Sequence, residues 1–129
     1  MDFFQLAGRD VERLDPANFT GTGTLVRMTG VSASPAVNAY RVSFEAGTRT
    51  AWHTHSGTQL LLVTEGTCRC QTAGEPVQEV AAGGIVAIPA GERHWHGATP
   101  DAPMTHVALN IEASTSWFEK VSDEEYGGS

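Results

Sequence analysis

Residues 47–66 read GTRTAWHTHSGTQLLLVTEG and contain two closely spaced histidines. His53 and His55 stand two positions apart, and side chains two apart on a β-strand project from the same face. A short polar turn follows, after which Gln59 opens an apolar run. Neutral imidazole is the commonest protein metal ligand, and a mixed nitrogen and oxygen set suits divalent first-row metals. The stretch therefore predicts a metal site above a β-sheet.

A second stretch, residues 83–94, reads GGIVAIPAGERH, which predicts a strand, a Pro-Ala-Gly turn and a histidine that begins the next strand. Together the two stretches resemble the two spaced motifs of the cupin family. Eight of the ten fixed positions agree, with Gln59 in place of the first motif's glutamate and Ala98 in place of the second motif's asparagine. The matching residues are Gly47, His53, His55, Gly66, Gly83, Pro89, Gly91 and His94. Chance explains two such patterns poorly, whereas a lone His-x-His would be weak support.

The predicted metal ligands are His53, His55, Gln59 and His94. A glutamate ligand would cancel one unit of metal charge, whereas Gln59 offers only a carbonyl dipole. We therefore expect a stronger Lewis acid than in a glutamate-containing centre, with some loss of metal affinity. One divalent metal per chain is expected, and three nitrogens with one oxygen suit manganese, iron, cobalt, nickel or zinc.

Composition limits the other classes of function. The 129 residues are expected to form one domain, and the formal charge of −7, from 8 basic and 15 acidic residues, argues against nucleic acid or an anionic membrane as a partner. The start of the chain lacks the basic and apolar regions of a signal peptide, so we expect a cytoplasmic protein.

Cys68 and Cys70 are expected to be reduced thiols, with a second metal site or a redox pair as the alternatives.

Many short apolar or alternating segments, separated by glycine and proline turns, predict an all-β sandwich or barrel. The predicted strands cover residues 22–29, 37–44, 53–55, 59–64, 67–72, 77–80, 85–88, 93–98 and 104–111. Residues 1–20 are expected to form an N-terminal arm and residues 22–111 the barrel. Ser116 and Glu119 have capping-box spacing, so a C-terminal helix is predicted over residues 114–126.

Alternation along the predicted strands places further candidate residues on one inner face. His96 shares a face with His94, and His106 lies on one face of the last strand together with Ala108 and Asn110. Either histidine could move a proton near neutral pH, or could instead have a structural hydrogen-bonding role. The other candidates are Thr50, for hydrogen bonding to a substrate oxygen, and the pocket residues Tyr40 and Val42. Trp52 and Trp95 adjoin ligand histidines and are expected to pack on the opposite face.

Three segments resemble a narrower group, the small bacterial manganese-dependent cupin hydroxynitrile lyases: residues 49–55 (RTAWHTH), 91–98 (GERHWHGA) and 104–106 (MTH). The resemblance implies a jelly-roll barrel, homo-oligomers, and manganese held by His53, His55, Gln59 and His94. It also implies cleavage of a cyanohydrin to an aldehyde and hydrogen cyanide, or the reverse addition. His106 would then act as the base that takes the hydroxyl proton, with His96 or Asn110 assisting the leaving cyanide.

Two other functions fit the same pattern. A metal-dependent oxygenase would use iron or manganese to activate dioxygen, and a non-catalytic cupin would bind a small ligand without needing His96 or His106. In each case the expected partner is a small molecule, and the unpaired sheet edges of an all-β chain favour a homodimer or a homotetramer.

Overall fold

A computed structural model describes residues 1–128 of the chain. Thirteen strands and one short helix are present over this range: β1 Glu12–Arg13, β2 Phe19–Thr20, β3 Gly23–Ala33, β4 Ala36–Phe44, β5 Arg49–Thr50, β6 His53–His55, β7 Thr58–Glu65, β8 Thr67–Thr72, β9 Gln78–Ala81, β10 Ile85–Ile88, β11 His94–Gly97, β12 Met104–Ile111, β13 Thr115–Trp117 and α1 Asp123–Tyr126. The predicted all-β fold with a short C-terminal helix is confirmed.

Two antiparallel sheets curl around one core. The six-stranded sheet runs in the order β1-β3-β4-β12-β7-β10, and the seven-stranded sheet runs β13-β6-β11-β5-β2, with β8 paired to β11 and β9 paired to β8. Each of the strands β10 to β13 lies in the sheet opposite to that of the strand before it, as in a jelly roll. The arrangement brings β6 and β11, which carry the motif histidines, to face β4, β12 and β7 of the other sheet.

The side chains that point between the sheets form the core. Phe44, Val63 and Met104 are buried in the largest cluster, and Leu61, Ile88 and Ala108 form a smaller one. These residues occupy alternate positions of their strands, because side chains on a strand alternate between the two faces of the sheet. The same alternation turns Tyr40, Val42, His106 and Asn110 inward.

A β-bulge in β7 sets which residues of β7 lie opposite which residues of β12. Thr105 pairs with Glu65 and His106 pairs with Val63, so Thr64 is an extra residue between two paired positions of β7. The hydroxyl of Thr64 donates to the Thr105 carbonyl oxygen over 3.2 Å. Such a bulge shifts the register by one residue and increases the local twist. Below it, Gln59 lies directly opposite Asn110.

The C-terminal segment differs from the prediction. The helix was expected over residues 114–126 with Ser116 as its N-cap, but residues 115–117 form β13, which pairs with β6, and the helix covers only Asp123–Tyr126. The capping box is instead formed by Ser122 and Glu125. Cross-strand pairing with the edge strand β6 satisfies the backbone of residues 115–117, and this long-range partner outweighs the local capping pattern.

The predicted N-terminal arm is partly built into the sheets. Glu12 and Arg13 pair with β3, and Phe19 and Thr20 pair with β5. Residues preceding Glu12 lie outside any strand. The segment from Glu12 to Phe19 thus crosses one open end of the barrel.

Candidate metal centre

Two strands of the seven-stranded sheet carry four histidines toward the interior. His53 and His55 lie on β6, and His94 and His96 lie on β11, with His94 directly opposite His53. All four side chains are buried. Gly97, directly after His96, permits the close approach of β11 to β5, because a Cβ there would lie 2.3 Å from the Thr48 carbonyl oxygen.

His53 and His94 are each held by a backbone carbonyl. The Nδ1 of His53 donates to the Ala51 carbonyl oxygen over 2.9 Å, and the Nδ1 of His94 donates to the Glu92 carbonyl oxygen over 2.7 Å. These bonds place the free lone pair of each ring on Nε2. Metal-binding histidines are typically oriented in this way, by a hydrogen bond from the nitrogen that does not bind the metal.

Gln59 lies on β7, in the sheet opposite the four histidines, and is oriented by its neighbour on β12. Its Nε2 donates to the Asn110 Oδ1 over 2.9 Å, which directs the carbonyl oxygen away from Asn110. That oxygen, Oε1, is buried and has no hydrogen-bond partner among residues 1–128. A buried amide oxygen without a partner costs free energy unless something satisfies it, and a cation would do so.

The ring nitrogens of His53, His94 and His96 lie within 4.8 Å of one another, so that one ion could contact all three. His55 adjoins this group, with its ring centroid 4.9 Å from that of His53 and 5.2 Å from that of His94. The tightest three-histidine group therefore contains His96, whereas the sequence motif assigns His55. Buried nitrogens of His55, His94 and His96 lack hydrogen-bond partners within residues 1–128. These nitrogens, available as ligands, suit a divalent metal.

His96 and His106 form a hydrogen-bonded pair across the two sheets. The Nε2 of His106 lies 3.1 Å from the Nδ1 of His96, and both rings are buried. The backbone N–H of His96 donates to the Thr50 hydroxyl over 3.2 Å. The remaining ring nitrogens, Nδ1 of His106 and Nε2 of His96, are buried and have no protein partner in the part of the chain that the structure describes.

Burial keeps all five histidines neutral at pH 7. It is the largest cause in each case and lowers the pKa of His55 and His106 to about 4, and the pKa of His53 to about 2 with a further contribution from His94. The pKa of His94 is also lowered, and that of His96 is lowered well below its usual value, by burial and then by His106. Neutral imidazole is the form that binds metal and accepts protons.

A cavity of about 390 Å³ opens beside these groups. The residues predicted to face it do so: its lining includes Tyr40, Val42, Thr50, His53, His55, Gln59, His96, His106, Ala108 and Asn110. His94 is not among the lining residues. Its ring lies behind that of His53, and the two ring centres are 4.2 Å apart.

Part of the cavity wall was not predicted from sequence. Residues 12–15 and 18–19 of the N-terminal segment line it, as does Trp117 of β13. The Trp117 ring lies 4.7 Å from the His53 ring at an interplanar angle of 34°, and 5.9 Å from Phe19. Only the tertiary pairing of β13 with β6 brings Trp117 to this position, and no local signal indicates it.

A charged pair stands at the mouth of the cavity. Arg27 and Glu12 form a half-exposed salt bridge of 2.7 Å, and the Arg27 guanidinium lies 5.7 Å from the centre of the Tyr40 ring. Arg27 and Tyr40 are directly paired on β3 and β4. This contact fixes the position of an aromatic side chain that narrows the entrance.

Other sequence predictions concern residues away from the cavity. Trp52 and Trp95 are buried together with Val121 and Tyr126, on the opposite face from the histidines as expected. Cys68 and Cys70 are free thiols. Within residues 1–128, no helix is long and apolar enough to cross a membrane.

Comparison with known proteins agrees with this geometry. The family model described as the cupin domain matches residues 40–110. The chain is similar to an (R)-mandelonitrile lyase from Granulicella tundricola, with 40% identity over 111 residues that cover 84% of this chain and 85% of the relative.

Solved structures show the same fold. A cupin-like protein from Thermotoga maritima superposes with a TM-score of 0.82 at 32% identity, covering 98% of this chain and 95% of that protein. A predicted oxalate decarboxylase from the same organism superposes with a TM-score of 0.74 at 18% identity, covering 85% of this chain and 98% of that protein, which supports the fold alone. The match of the family model over more than half of the chain, together with the 40% identity, shows that the protein belongs to the cupin family.

Proposed function

We propose that this protein is a metal-dependent hydroxynitrile lyase, which cleaves a cyanohydrin to an aldehyde and hydrogen cyanide or catalyses the reverse addition. The observation that carries the proposal is the His96–His106 pair beside an unsatisfied metal-ligand set in an open cavity. The similarity to a mandelonitrile lyase supports it. A non-catalytic ligand-binding cupin would have no need of two buried, hydrogen-bonded histidines next to the metal ligands.

The proposed ligands are His53, His55, Gln59 and His94. His53 and His94 are oriented by carbonyl groups and Gln59 by Asn110, which leaves an acceptor atom free on each. A divalent metal bound there would supply Lewis-acid polarisation of a substrate oxygen. We propose manganese as the resident metal, with iron, nickel, cobalt and zinc as alternatives that metal analysis of the purified protein would distinguish.

The two histidines beyond this set can carry the proton transfer. Cleavage breaks the bond between the carbinol carbon and the cyano group, the electron pair leaves with cyanide, and the hydroxyl proton must be removed. The Nδ1 of His106, which has no hydrogen-bond partner over the described range, can accept this proton. Its Nε2 proton can then pass to His96 Nδ1 over 3.1 Å, while His96 releases a proton from Nε2 to cyanide. The His96–His106 pair thereby provides both the base that accepts the hydroxyl proton and the acid that protonates cyanide.

The remaining cavity residues position the substrate. The Thr50 hydroxyl lines the cavity and accepts a hydrogen bond from the His96 backbone, so that Thr50 holds His96 in place while facing the substrate. Tyr40, Val42 and Ala108 form an apolar wall suited to the organic substituent of the substrate. Asn110 acts mainly through Gln59.

We place the protein in the cytoplasm, where free thiols such as Cys68 and Cys70 stay reduced.

The experiment that tests the proposal is aldehyde release from mandelonitrile at mildly acidic pH, where the uncatalysed reaction is slow. Manganese-loaded protein is compared with metal-stripped protein and with His106→Ala. We expect release that needs both the metal and His106. Equal background rates in all three samples would overturn the proposal, and oxygen consumption by the loaded protein would identify an oxygenase instead.

A further inference from the structure

Side chains on the outer face of the seven-stranded sheet lie directly behind the candidate metal centre. Trp52 immediately precedes His53, and Arg93 immediately precedes His94. Successive side chains of an extended chain point to opposite faces, so Trp52 and Arg93 lie outside where the two histidines lie inside. Phe118, immediately after β13, is on the same outer face and contacts Arg93.

Arg93 contacts two aromatic rings and one carboxylate. Its guanidinium carbon is 5.3 Å from the centre of the Trp52 ring and 5.2 Å from the centre of the Phe118 ring, both within the range of a cation–π interaction. The guanidinium also forms a salt bridge with Glu119. The four residues Trp52, Arg93, Phe118 and Glu119 are here called the outer clamp. They come from the ends of β6, β11 and β13, so their contacts join these three strands.

The aromatic side of the outer clamp is held by the backbone. The Trp52 N–H donates to the Glu119 carbonyl oxygen over 3.0 Å, and the Phe118 N–H donates to the Trp52 carbonyl oxygen over 2.8 Å. These bonds extend the pairing of β13 with β6 beyond Trp117, which lies opposite His53. Trp52 and Phe118 are thus fixed relative to each other, and Arg93 reaches them from a different strand.

The two strands that carry the ligand histidines share few backbone contacts. Within residues 1–128, His53 with His94 is the only paired position between β6 and β11. The Gly91 N–H donates to the His55 carbonyl oxygen over 2.8 Å, and farther along β11 pairs with β5 instead. The side chain of Arg93 is therefore a substantial part of the connection between these two strands.

The outer clamp also bears on the hydrogen bonds that orient the ligand rings. The Nδ1 of His53 donates to the carbonyl oxygen two residues before it, and the Nδ1 of His94 does the same. The residue enclosed by this hydrogen bond is Trp52 in the first case and Arg93 in the second. Because the enclosed residue sets the backbone between the carbonyl group and the ring, a shift of its side chain would change the direction of the ring's Nε2.

We propose that Arg93 is a positioning residue of the metal centre, which holds the two ligand strands together through its contacts with the aromatic rings of the outer clamp. Without these contacts the rings of His53 and His94, whose centres are 4.2 Å apart, would be free to separate. A guanidinium suits this role because it is planar, stacks on aromatic faces and stays charged. The role rests on the proposed function, since it presupposes a metal between these ligands, but Arg93 itself does not line the cavity.

The test is the metal affinity of Arg93→Leu, measured by isothermal titration of metal-stripped protein with Mn²⁺ well below the unfolding temperature. We expect affinity about tenfold weaker than in wild type, the lower end of the effect of losing a group that supports a metal ligand. The visible absorption spectrum of Co²⁺-loaded Arg93→Leu should also differ from that of wild type, because this spectrum reports ligand geometry. Arg93→Lys keeps a cation beside the rings and should recover part of the affinity.

The matched control is Arg69→Leu. Arg69 also lies over an aromatic ring, that of Tyr126 at 5.4 Å, and forms a salt bridge with Glu79, but its contacts lead to α1 and not to a ligand strand. This variant should lower the free energy of unfolding, as Arg93→Leu does, and leave metal affinity unchanged. Phe118→Leu removes one ring of the outer clamp at a residue that is 46% exposed, and it should weaken metal binding in the same direction.

Circular dichroism establishes that each variant is folded before titration. Wild-type affinity in both Arg93→Leu and Phe118→Leu would overturn the proposal. An equal loss of affinity in Arg69→Leu would also overturn it, because the effect would then be one of general stability. Both results leave the metal centre itself intact. Wild-type protein that binds neither Mn²⁺ nor Co²⁺ would instead overturn the proposed metal centre, and the role of Arg93 with it.

Discussion

The Nε2 atom of His106 and the Nδ1 atom of His96 lie 3.1 Å apart across the two sheets of the barrel, and the other nitrogen of each ring is buried and has no hydrogen-bond partner within residues 1–128. This single hydrogen bond couples the two rings, whose other nitrogens, His106 Nδ1 and His96 Nε2, are the atoms proposed to exchange protons with a substrate. It also means that neither histidine can be changed without altering the other.

The first prediction follows from this coupling. His106→Ala and His96→Ala should each lower kcat/KM for mandelonitrile cleavage by about 10²–10⁴-fold, the usual contribution of a general acid or base. The double variant should be little worse than either single one, since the pair acts as a unit. Steady-state kinetics of the three variants provides the measurement. Fully additive losses would show that the two residues act separately.

The second prediction concerns which histidines hold the metal. His55→Ala should lower the metal affinity of the purified protein, whereas His96→Ala should leave it within a few-fold of wild type if His96 serves in proton transfer. Isothermal titration of metal-stripped protein with Mn²⁺ gives both affinities. The opposite result would assign the site to the tighter group of His53, His94 and His96.

The third prediction concerns Gln59, the proposed amide ligand. Gln59→Glu adds a negative charge that should tighten metal binding and lower the Lewis acidity of the centre, so that affinity rises while kcat falls. Asn110→Leu removes the partner that orients Gln59 and should weaken metal binding by about 10–100-fold, the typical effect of losing an outer hydrogen bond. Unchanged affinity in Asn110→Leu would mean that Gln59 is not a ligand.

The fourth prediction is a pH-dependent stability of the metal-free protein. His106 binds a proton near pH 4 in the folded protein but near pH 6.5 in the unfolded chain, and His55 shifts in the same direction. Between these values the unfolded state holds more protons, so the free energy of unfolding falls as the pH falls. His106 alone should contribute a slope of up to about 1.4 kcal/mol per pH unit.

Urea denaturation of metal-free protein at several pH values from 7 to 4 measures this slope. The control is His106→Gln, which cannot titrate in this range and should show a shallower pH dependence, whatever its absolute stability. Equal slopes in the two proteins would contradict the assignment of the proton uptake to His106.

The fifth prediction uses Trp117. Its ring centre lies 4.7 Å from that of His53 and the residue is 39% exposed, whereas Trp52 and Trp95 are buried on the other side of the sheet. Binding of a paramagnetic ion such as Mn²⁺ or Co²⁺ should quench tryptophan fluorescence in wild type. Trp117→Phe keeps an aromatic ring beside His53 and should lose most of this quenching. Quenching that persists in full would place the metal closer to another tryptophan.

Much of the site was predictable because strand periodicity is a local property. The two-residue spacing of His53 and His55, and of His94 and His96, places each pair on one face, and the alternation of β12 places His106 and Asn110 together. These positions required no knowledge of distant contacts. The predicted packing of Trp52 and Trp95 on the opposite face follows from the same rule.

What the sequence did not reveal depends on long-range pairing. Ser116 and Glu119 have the spacing of a capping box, but the edge of β6 recruits residues 115–117 into a strand, and the helix begins only after Ser122. Trp117 reaches the cavity for the same reason. The Glu12–Arg27 pair at the entrance joins residues 15 positions apart on different strands, and neither residue type signals a cavity position.

The bulge at Thr64 has a consequence for how the length of this chain can vary. Thr64 is a spare residue in β7, because the pairing passes from Glu65 directly to Val63. Deletion of Thr64 would straighten the strand and leave Gln59 opposite Asn110, so the Gln59 side chain would still face the cavity. We therefore expect β7 to tolerate the loss of one residue at this position, whereas the same deletion in a strand of unbroken register would turn Gln59 to the outside.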